Sequence, residues 1–156
     1  MKRLAMLVLP LALGLSSLAA AQASAPSERF GVQLGGIPPI LNSGGVYFRV
    51  ATFGQNHLEV RGLANIVYVP NLFGAFGGEL DLLVSHPLSN GWRVYGGPAV
   101  GIAKTSANGG QTYTGVGALV GIRGGKGFGL FLEGGAATFF GGSTAPLVRA
   151  GLQYSF

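Results

Sequence analysis

Ten charged side chains occupy strand-like positions in this sequence, and their spacing determines what chemistry they could do. Apolar residues alternate with them, so in an extended chain the charged and apolar side chains point to opposite faces. Arginines and carboxylates that share one face could pair through charge-assisted hydrogen bonds or line a polar path. The ten residues are Arg29, Arg49, Glu59, Arg61, Glu79, Asp81, Arg93, Arg123, Glu133 and Arg149.

The two histidines, His57 and His86, are the best candidates for a general base, but neither lies in a catalytic pattern. Ser85 adjoins His86, yet neighbours in a strand point in opposite directions, and no third group is placed to orient the base. Two histidines without clustered carboxylates make a weak metal site, and the sequence has no cysteine. We therefore expect no enzyme activity, no bound metal and no cofactor.

The N-terminal segment has the layout of a secretory signal peptide. It begins with MKR, continues as an apolar run and ends in small residues, with cleavage expected after Ala21 or Ala23. Pro10 interrupts the apolar run, which is short for the roughly 20 residues of a transmembrane helix. We predict a signal peptide over 1–23 and one domain over 24–156.

The composition of that domain is unusual for a soluble protein. Charged residues make up 10% of the sequence, whereas a typical globular protein has about 25%. Without Lys2 and Arg3 the formal charge falls from +5 to +3, and no basic run supports nucleic-acid binding. No apolar stretch of the domain approaches the roughly 18 residues of a spanning helix. Because only helices and closed barrels satisfy their backbone inside lipid, the composition favours a barrel.

Eight segments alternate with period two, and each is close to the roughly 9–11 residues of a tilted membrane strand. Glycine, proline, asparagine and serine cluster between them, as chain reversals require. The fold class predicted is all-β, a closed eight-stranded antiparallel up-and-down transmembrane β-barrel. Pro98 lies inside the fifth segment, where its missing N–H predicts a local β-bulge. The predicted strands are 29–36, 45–53, 57–67, 76–84, 92–102, 114–123, 128–138 and 148–156.

The charges fall on one face of these predicted strands only. The uncharged face is therefore expected to meet lipid, and the polar face to line a narrow lumen. A cation on the lipid face would cost roughly 2–4 kcal/mol near the bilayer centre, whereas arginines and carboxylates in a lumen can pair. An eight-stranded interior is just wide enough for side chains to fill it, and inward glycines would make room for the arginines.

Aromatic residues concentrate near the predicted strand ends, as the two belts of a membrane barrel require. Phe30, Trp92 and Phe156 are assigned to the rim that carries the termini. Tyr47 and Phe48 are assigned to the opposite rim, because they lie near the start of the second predicted segment.

The final segment, VRAGLQYSF, carries the most specific motif. In strand number and alternation the chain resembles the small eight-stranded outer-membrane barrels typified by the transmembrane domain of outer membrane protein A. The resemblance implies that the last strand holds the C-terminal signal through which the barrel-assembly machinery inserts such proteins. It also implies a cell outer-membrane location, contact with outer-membrane lipid and a monomeric state. The residues that match this signal are Val148, Ala150, Leu152, Tyr154 and Phe156.

Three functions stay open at this stage. The main expectation is an integral barrel with a side-chain-filled lumen and a structural, envelope-stabilising or surface-interaction role. One alternative is a narrow, low-conductance pore lined by the paired charges. Another is a soluble periplasmic barrel that binds an apolar ligand. Two apolar outer connections, which include Ile40, Leu41 and Leu72, add a neighbouring envelope protein or lipid as a candidate partner.

Overall fold

The computed structural model describes residues 29–37, 41–69, 73–106, 110–125, 127–140, 142 and 144–156. The predicted signal peptide lies outside the described residues, as do Ile40 and Leu72 of the apolar connections. Within the described ranges, no helix combines the length and the hydropathy needed to cross a membrane.

Eight antiparallel strands form a closed barrel in which each strand bonds to the next in chain order and β8 returns to β1. The predicted all-β, closed up-and-down barrel is therefore confirmed. A short 3-10 helix over Ser89–Gly91 lies between β4 and β5. The strands are β1 (Phe30–Ile37), β2 (Leu41–Phe53), β3 (Asn56–Val69), β4 (Phe73–Pro87), β5 (Arg93–Thr105), β6 (Thr112–Gly124), β7 (Phe128–Phe139) and β8 (Thr144–Ser155).

Most strands are longer than alternation alone predicted, because residues assigned to turns belong to the ladder. β2 begins at Leu41, and Ser43 and Gly44, which precede the predicted segment 45–53, pair with β1 instead of forming a loop. The turn between β2 and β3 is tight, because β2 ends at Phe53 and β3 begins at Asn56. It consists of two residues, and Gly54 adopts the left-handed conformation that this turn needs (φ 62°).

A β-bulge lies in β2. The register with β3 shifts between Arg49 and Ala51, so that Ala51 pairs with Leu58 and is exposed on the outer face. The next residue, Thr52, turns to His57, with 3.1 Å between Oγ1 and Nδ1. Alternation placed Ala51 on the polar face, which is wrong because the extra residue of a bulge reverses the parity beyond it.

Pro98 is accommodated without a bulge. The pairing of β4 with β5 keeps one register on both sides of it, from Asp81 opposite Ala99 to Val84 opposite Gly96. The predicted bulge is therefore wrong. The barrel instead omits the intervening pairs with β4, while Pro98 still lies opposite Ala118 of β6.

The two ends of the barrel differ in what they carry. The terminal rim holds Arg29, Phe156 and the connections after β2, β4 and β6, whereas the loop rim holds the connections after β1, β3, β5 and β7. At the terminal rim the ring of Phe30 stacks on that of Phe156, with 5.4 Å between centroids, and lies 5.0 Å from that of Phe48.

Tyr47 and Phe48 were assigned to the wrong rim by the sequence pattern. Phe48 pairs with Phe30 at the terminal rim. Tyr47 points inward, where its hydroxyl lies 2.5 Å from Oγ of Ser155. The reason is the earlier start of β2, which makes Tyr47 its middle residue and puts Phe48 one residue nearer the terminal rim.

Apolar side chains cover most of the outer face, but Lys104, which follows the fifth predicted segment, belongs to β5 and is exposed on this face opposite Phe76. The apolar side chains include Leu34, Phe76 and Leu130, which are 69%, 63% and 57% exposed. The inward side chains of the same strands are largely polar and buried, among them Gln33 and Asp81. The predicted division into an apolar and a polar face is thus present, with the polar face inside.

Candidate functional site: the interior charge cluster

Nine of the ten charged residues predicted to share a face project into the barrel, one or two from each of β2 to β8. Arg29 is the exception, since it precedes β1 and is exposed. The nine comprise five arginines and four carboxylates, and every carboxylate contacts an arginine. We call them the interior charge cluster: Arg49, Glu59, Arg61, Glu79, Asp81, Arg93, Arg123, Glu133 and Arg149.

Arg61 lies at the centre of the cluster. Its Nε donates to Oδ2 of Asp81, its partner across the β3–β4 ladder, at 2.6 Å. Its Nη1 reaches Oε2 of Glu133 on β7, also at 2.6 Å. The Tyr95 hydroxyl donates to the same Glu133 oxygen at 2.8 Å. These charged side chains are 0–1% exposed, so the contacts close the middle of the interior.

Arg149 extends this network toward the loop rim. Its Nη2 lies 2.6 Å from Oε1 of Glu79. Its Nε lies 2.6 Å from Oε1 of Glu133, its neighbour across the β7–β8 ladder. Asn65 adds a longer hydrogen bond from Nδ2 to Oε2 of Glu79, at 3.3 Å. Glu133 therefore links the two arginines, and the central charges form one connected group.

A second group lies nearer the terminal rim. Nη2 of Arg123 contacts both carboxylate oxygens of Glu59, at 2.5 and 2.6 Å. The Ser85 hydroxyl donates to Oε1 of the same carboxylate at 2.7 Å. The guanidinium of Arg123 also lies over the rings of Tyr47 and Tyr95, 4.6 and 5.3 Å from their centroids. Such cation–π contacts add stability when they are desolvated.

The residues considered for catalysis have separate partners. Ser85 binds Glu59, whereas Nδ1 of His86 contacts Oδ1 of Asn56 at 2.7 Å. His57 lies beside Thr52. In the part of the chain that the structure describes, no three histidine, aspartate or glutamate side chains are grouped as metal ligands.

Sequence reasoning missed the uncharged residues that complete the cluster. Tyr47, Tyr95 and Ser85 all contact its members or their partners, and all three are buried. Their position in the alternation could have identified them, because each of the three lies on the same predicted face as the nearest charged residue. The pattern did not show that aromatic rings fill the space between the arginines.

Interior glycines make room for these rings. A methyl group on Gly121 would lie 2.6 Å from Cζ of Tyr95, and one on Gly31 would overlap the ring of Tyr47. Gly121 was expected to make room for an arginine, but the ring beside it is that of Tyr95. The close approach explains why these positions carry no side chain.

We expect Gly31→Ala to lower the free energy of unfolding by about 1–3 kcal/mol, because overpacking displaces a ring that Ser155 and Arg123 hold in place. Gly62→Ala is the matched control, since an added methyl there has no described atom within 4 Å. Urea unfolding in phospholipid vesicles would measure both. Equal stabilities of the two variants would contradict the packing role of Gly31.

No family model matches this chain, and no curated protein is significantly similar to it. The resemblance to outer-membrane protein A barrels therefore stays a prediction based on strand number, alternation and the final segment.

Proposed function

We propose that this protein is an integral outer-membrane β-barrel with a closed lumen, which stabilises the envelope or presents a small interaction surface. One observation carries the proposal: the described carboxylates are paired with arginines inside, while large apolar side chains cover most of the outside. A water-soluble barrel has the opposite arrangement, with apolar side chains inward and charges outward.

The extent of the apolar surface supports a lipid environment. All eight strands contribute exposed, large apolar side chains, such as Leu34 of β1, Leu80 of β4 and Val120 of β6. Soluble monomers rarely expose a contiguous apolar patch above a few hundred Å². A closed barrel can present such a surface to lipid because its backbone hydrogen bonds are all made between strands.

The packing of the central ion pairs favours a closed barrel over a conducting pore. Arg61, Asp81 and Glu133 are 1–2% exposed, and together they cross the interior from β3 to β7. In planar bilayers we expect no stable conductance above the lipid baseline. Discrete channel openings would instead support the pore alternative.

The final strand supports the proposed assembly route. Val148, Leu152, Tyr154 and Phe156 are all 43–62% exposed on the outer face. We propose that this row, with Ala150, is recognised by the barrel-assembly machinery and then faces outer-membrane lipid. The protein would act as a monomer, with a neighbouring envelope protein as a further candidate partner.

Gel migration of the protein from an outer-membrane fraction, with and without boiling, tests the proposal. A folded membrane barrel stays folded in detergent until the sample is boiled, so we expect a compact band that shifts on heating. Recovery of the protein in a detergent-free soluble extract, without a heat shift, would overturn it. That outcome would favour the soluble, ligand-binding alternative.

A further inference from the structure

The positive and negative charges of the interior are unevenly distributed along the barrel axis. The central network contains two arginines and three carboxylates. The group nearer the terminal rim contains three arginines, and Glu59 is its one described side-chain carboxylate. We call the three arginines the cationic mouth: Arg49, Arg93 and Arg123.

Strand register determines where these arginines lie. Arg93 of β5 is directly opposite Arg123 of β6, and Arg49 of β2 is directly opposite Glu59 of β3. Residues opposite each other in a ladder project from the same face, and like charges in that position are destabilising. The pairing of β5 with β6 therefore concentrates positive charge at the terminal end of the interior.

Burial makes this concentration of positive charge costly. Arg93 and Arg123 are only 8% and 6% exposed, and charges removed from water interact more strongly than charges in bulk solvent. Both oxygens of Glu59 accept hydrogen bonds from Arg123, and Ser85 donates to one of them. Because Glu59 carries a single negative charge, three arginines and one glutamate give the mouth a net charge of +2.

The charges that surround the mouth do not cancel this excess. Arg29 is exposed at the same rim, where its carbonyl accepts from the N–H of Arg49 at 2.9 Å. The carboxylate of Phe156 balances the charge of Arg29. In the adjoining sequence Glu28 and Lys126, which lie outside the described residues, contribute one charge of each sign. The net charge of this end of the barrel therefore stays at +2.

We propose that the cationic mouth binds a dianionic phosphate group, either orthophosphate or a phosphomonoester. A phosphomonoester carries about −1.5 to −2 charges near neutral pH and presents three acceptor oxygens, which matches the charge of the mouth. The planar guanidinium of arginine fits phosphate oxygens in a bidentate manner.

The phosphate would bind at the solvent side of the mouth, which does not require an enclosed cavity. Arg49 is only half-buried there, so its side chain is accessible from the rim. A phosphodiester headgroup carries one negative charge and matches the mouth less well. The inference concerns the end of the interior and does not depend on what surrounds the outer face.

Titration with sodium phosphate tests the proposal. The full protein, labelled with ¹⁵N at arginine, would be held in dodecyl maltoside, whose headgroup carries no phosphate. Near neutral pH we expect saturable shifts of the Nε–Hε signals of Arg49 and Arg93, whereas the signal of Arg149 in the central network should stay in place. Sodium chloride at the same ionic strength should cause only small, linear shifts. Equal shifts with phosphate and chloride would overturn the proposal.

A matched pair of variants locates the site. Arg93→Gln removes one charge from the mouth, so calorimetric titration should show that phosphate binds about tenfold more weakly. Lys104→Gln removes an exposed charge near the loop rim and should leave the affinity unchanged. Equal affinities of these two variants would contradict the proposal, and Arg49→Gln provides the same test if Arg93→Gln does not fold. Tighter binding of glycerol 1-phosphate than of orthophosphate would identify a phosphomonoester as the source.

Discussion

Replacing Arg61 by methionine is expected to lower the free energy of unfolding by about 3–5 kcal/mol, because it leaves the buried carboxylate of Asp81 without its cation and removes one of the two cations beside Glu133. Asp81 loses its cross-strand partner, and Glu133 keeps only Arg149 and the Tyr95 hydroxyl. Urea unfolding in phospholipid vesicles would give the value. The fluorescence of Trp92, the one tryptophan of the chain, can report the transition.

Arg29→Met is the matched control for this prediction, because Arg29 is exposed and lies outside the cluster. We expect its effect to remain within about 0.5 kcal/mol. Adding Asp81→Asn to Arg61→Met should recover part of the loss, since the second change removes the carboxylate that the first leaves unpaired. Equal stabilities of the Arg61 and Arg29 variants would show that the central ion pairs do not hold the barrel together.

The second large effect concerns the outer face. Leu80 is the central residue of β4 and is 54% exposed, so the proposed membrane location puts it near the bilayer midplane. Leu80→Arg should therefore cost roughly 2–4 kcal/mol in lipid vesicles. The same substitution at Leu88, beside the terminal rim, should cost about 0–1 kcal/mol, because the penalty falls toward the interface.

The size of the destabilisation caused by Leu80→Arg distinguishes a lipid environment from water. In water, placing an arginine at an exposed strand position should change the stability little, since surface substitutions usually change it by less than about 0.5 kcal/mol. A Leu80→Arg variant as stable as the Leu88→Arg variant would contradict a lipid-facing surface.

The interior charge cluster is held together by buried ion pairs. Buried ion pairs are often no more stabilising than apolar residues of the same volume, so their presence needs another explanation. Contacts such as Arg61–Glu133 join strands that are not neighbours in the barrel. We interpret the cluster as the element that specifies closure and strand order.

Alternation alone determined much of this fold. It predicted eight strands, the all-β class and the inward face of nine of the ten charged residues assigned to it, because a period of two allows only two sides. Glu59, Glu133 and Arg149 lie inside as predicted. The same argument failed beyond Arg49, because a bulge adds one residue there and reverses the face that each later residue of β2 occupies. The alternation of the sequence does not reveal this bulge.

The contacts inside the barrel were decided only by the tertiary structure. Arg61 and Glu133 are separated by 72 positions in the chain, and the local sequence around either residue does not identify the other as its partner. Which charges meet depends on how far each strand is displaced along its neighbour when the barrel closes. The pairing of β2 with β1 likewise places Phe48 opposite Phe30 and Tyr47 opposite Gly31, toward the terminal rim, because β2 begins earlier than the alternation indicates.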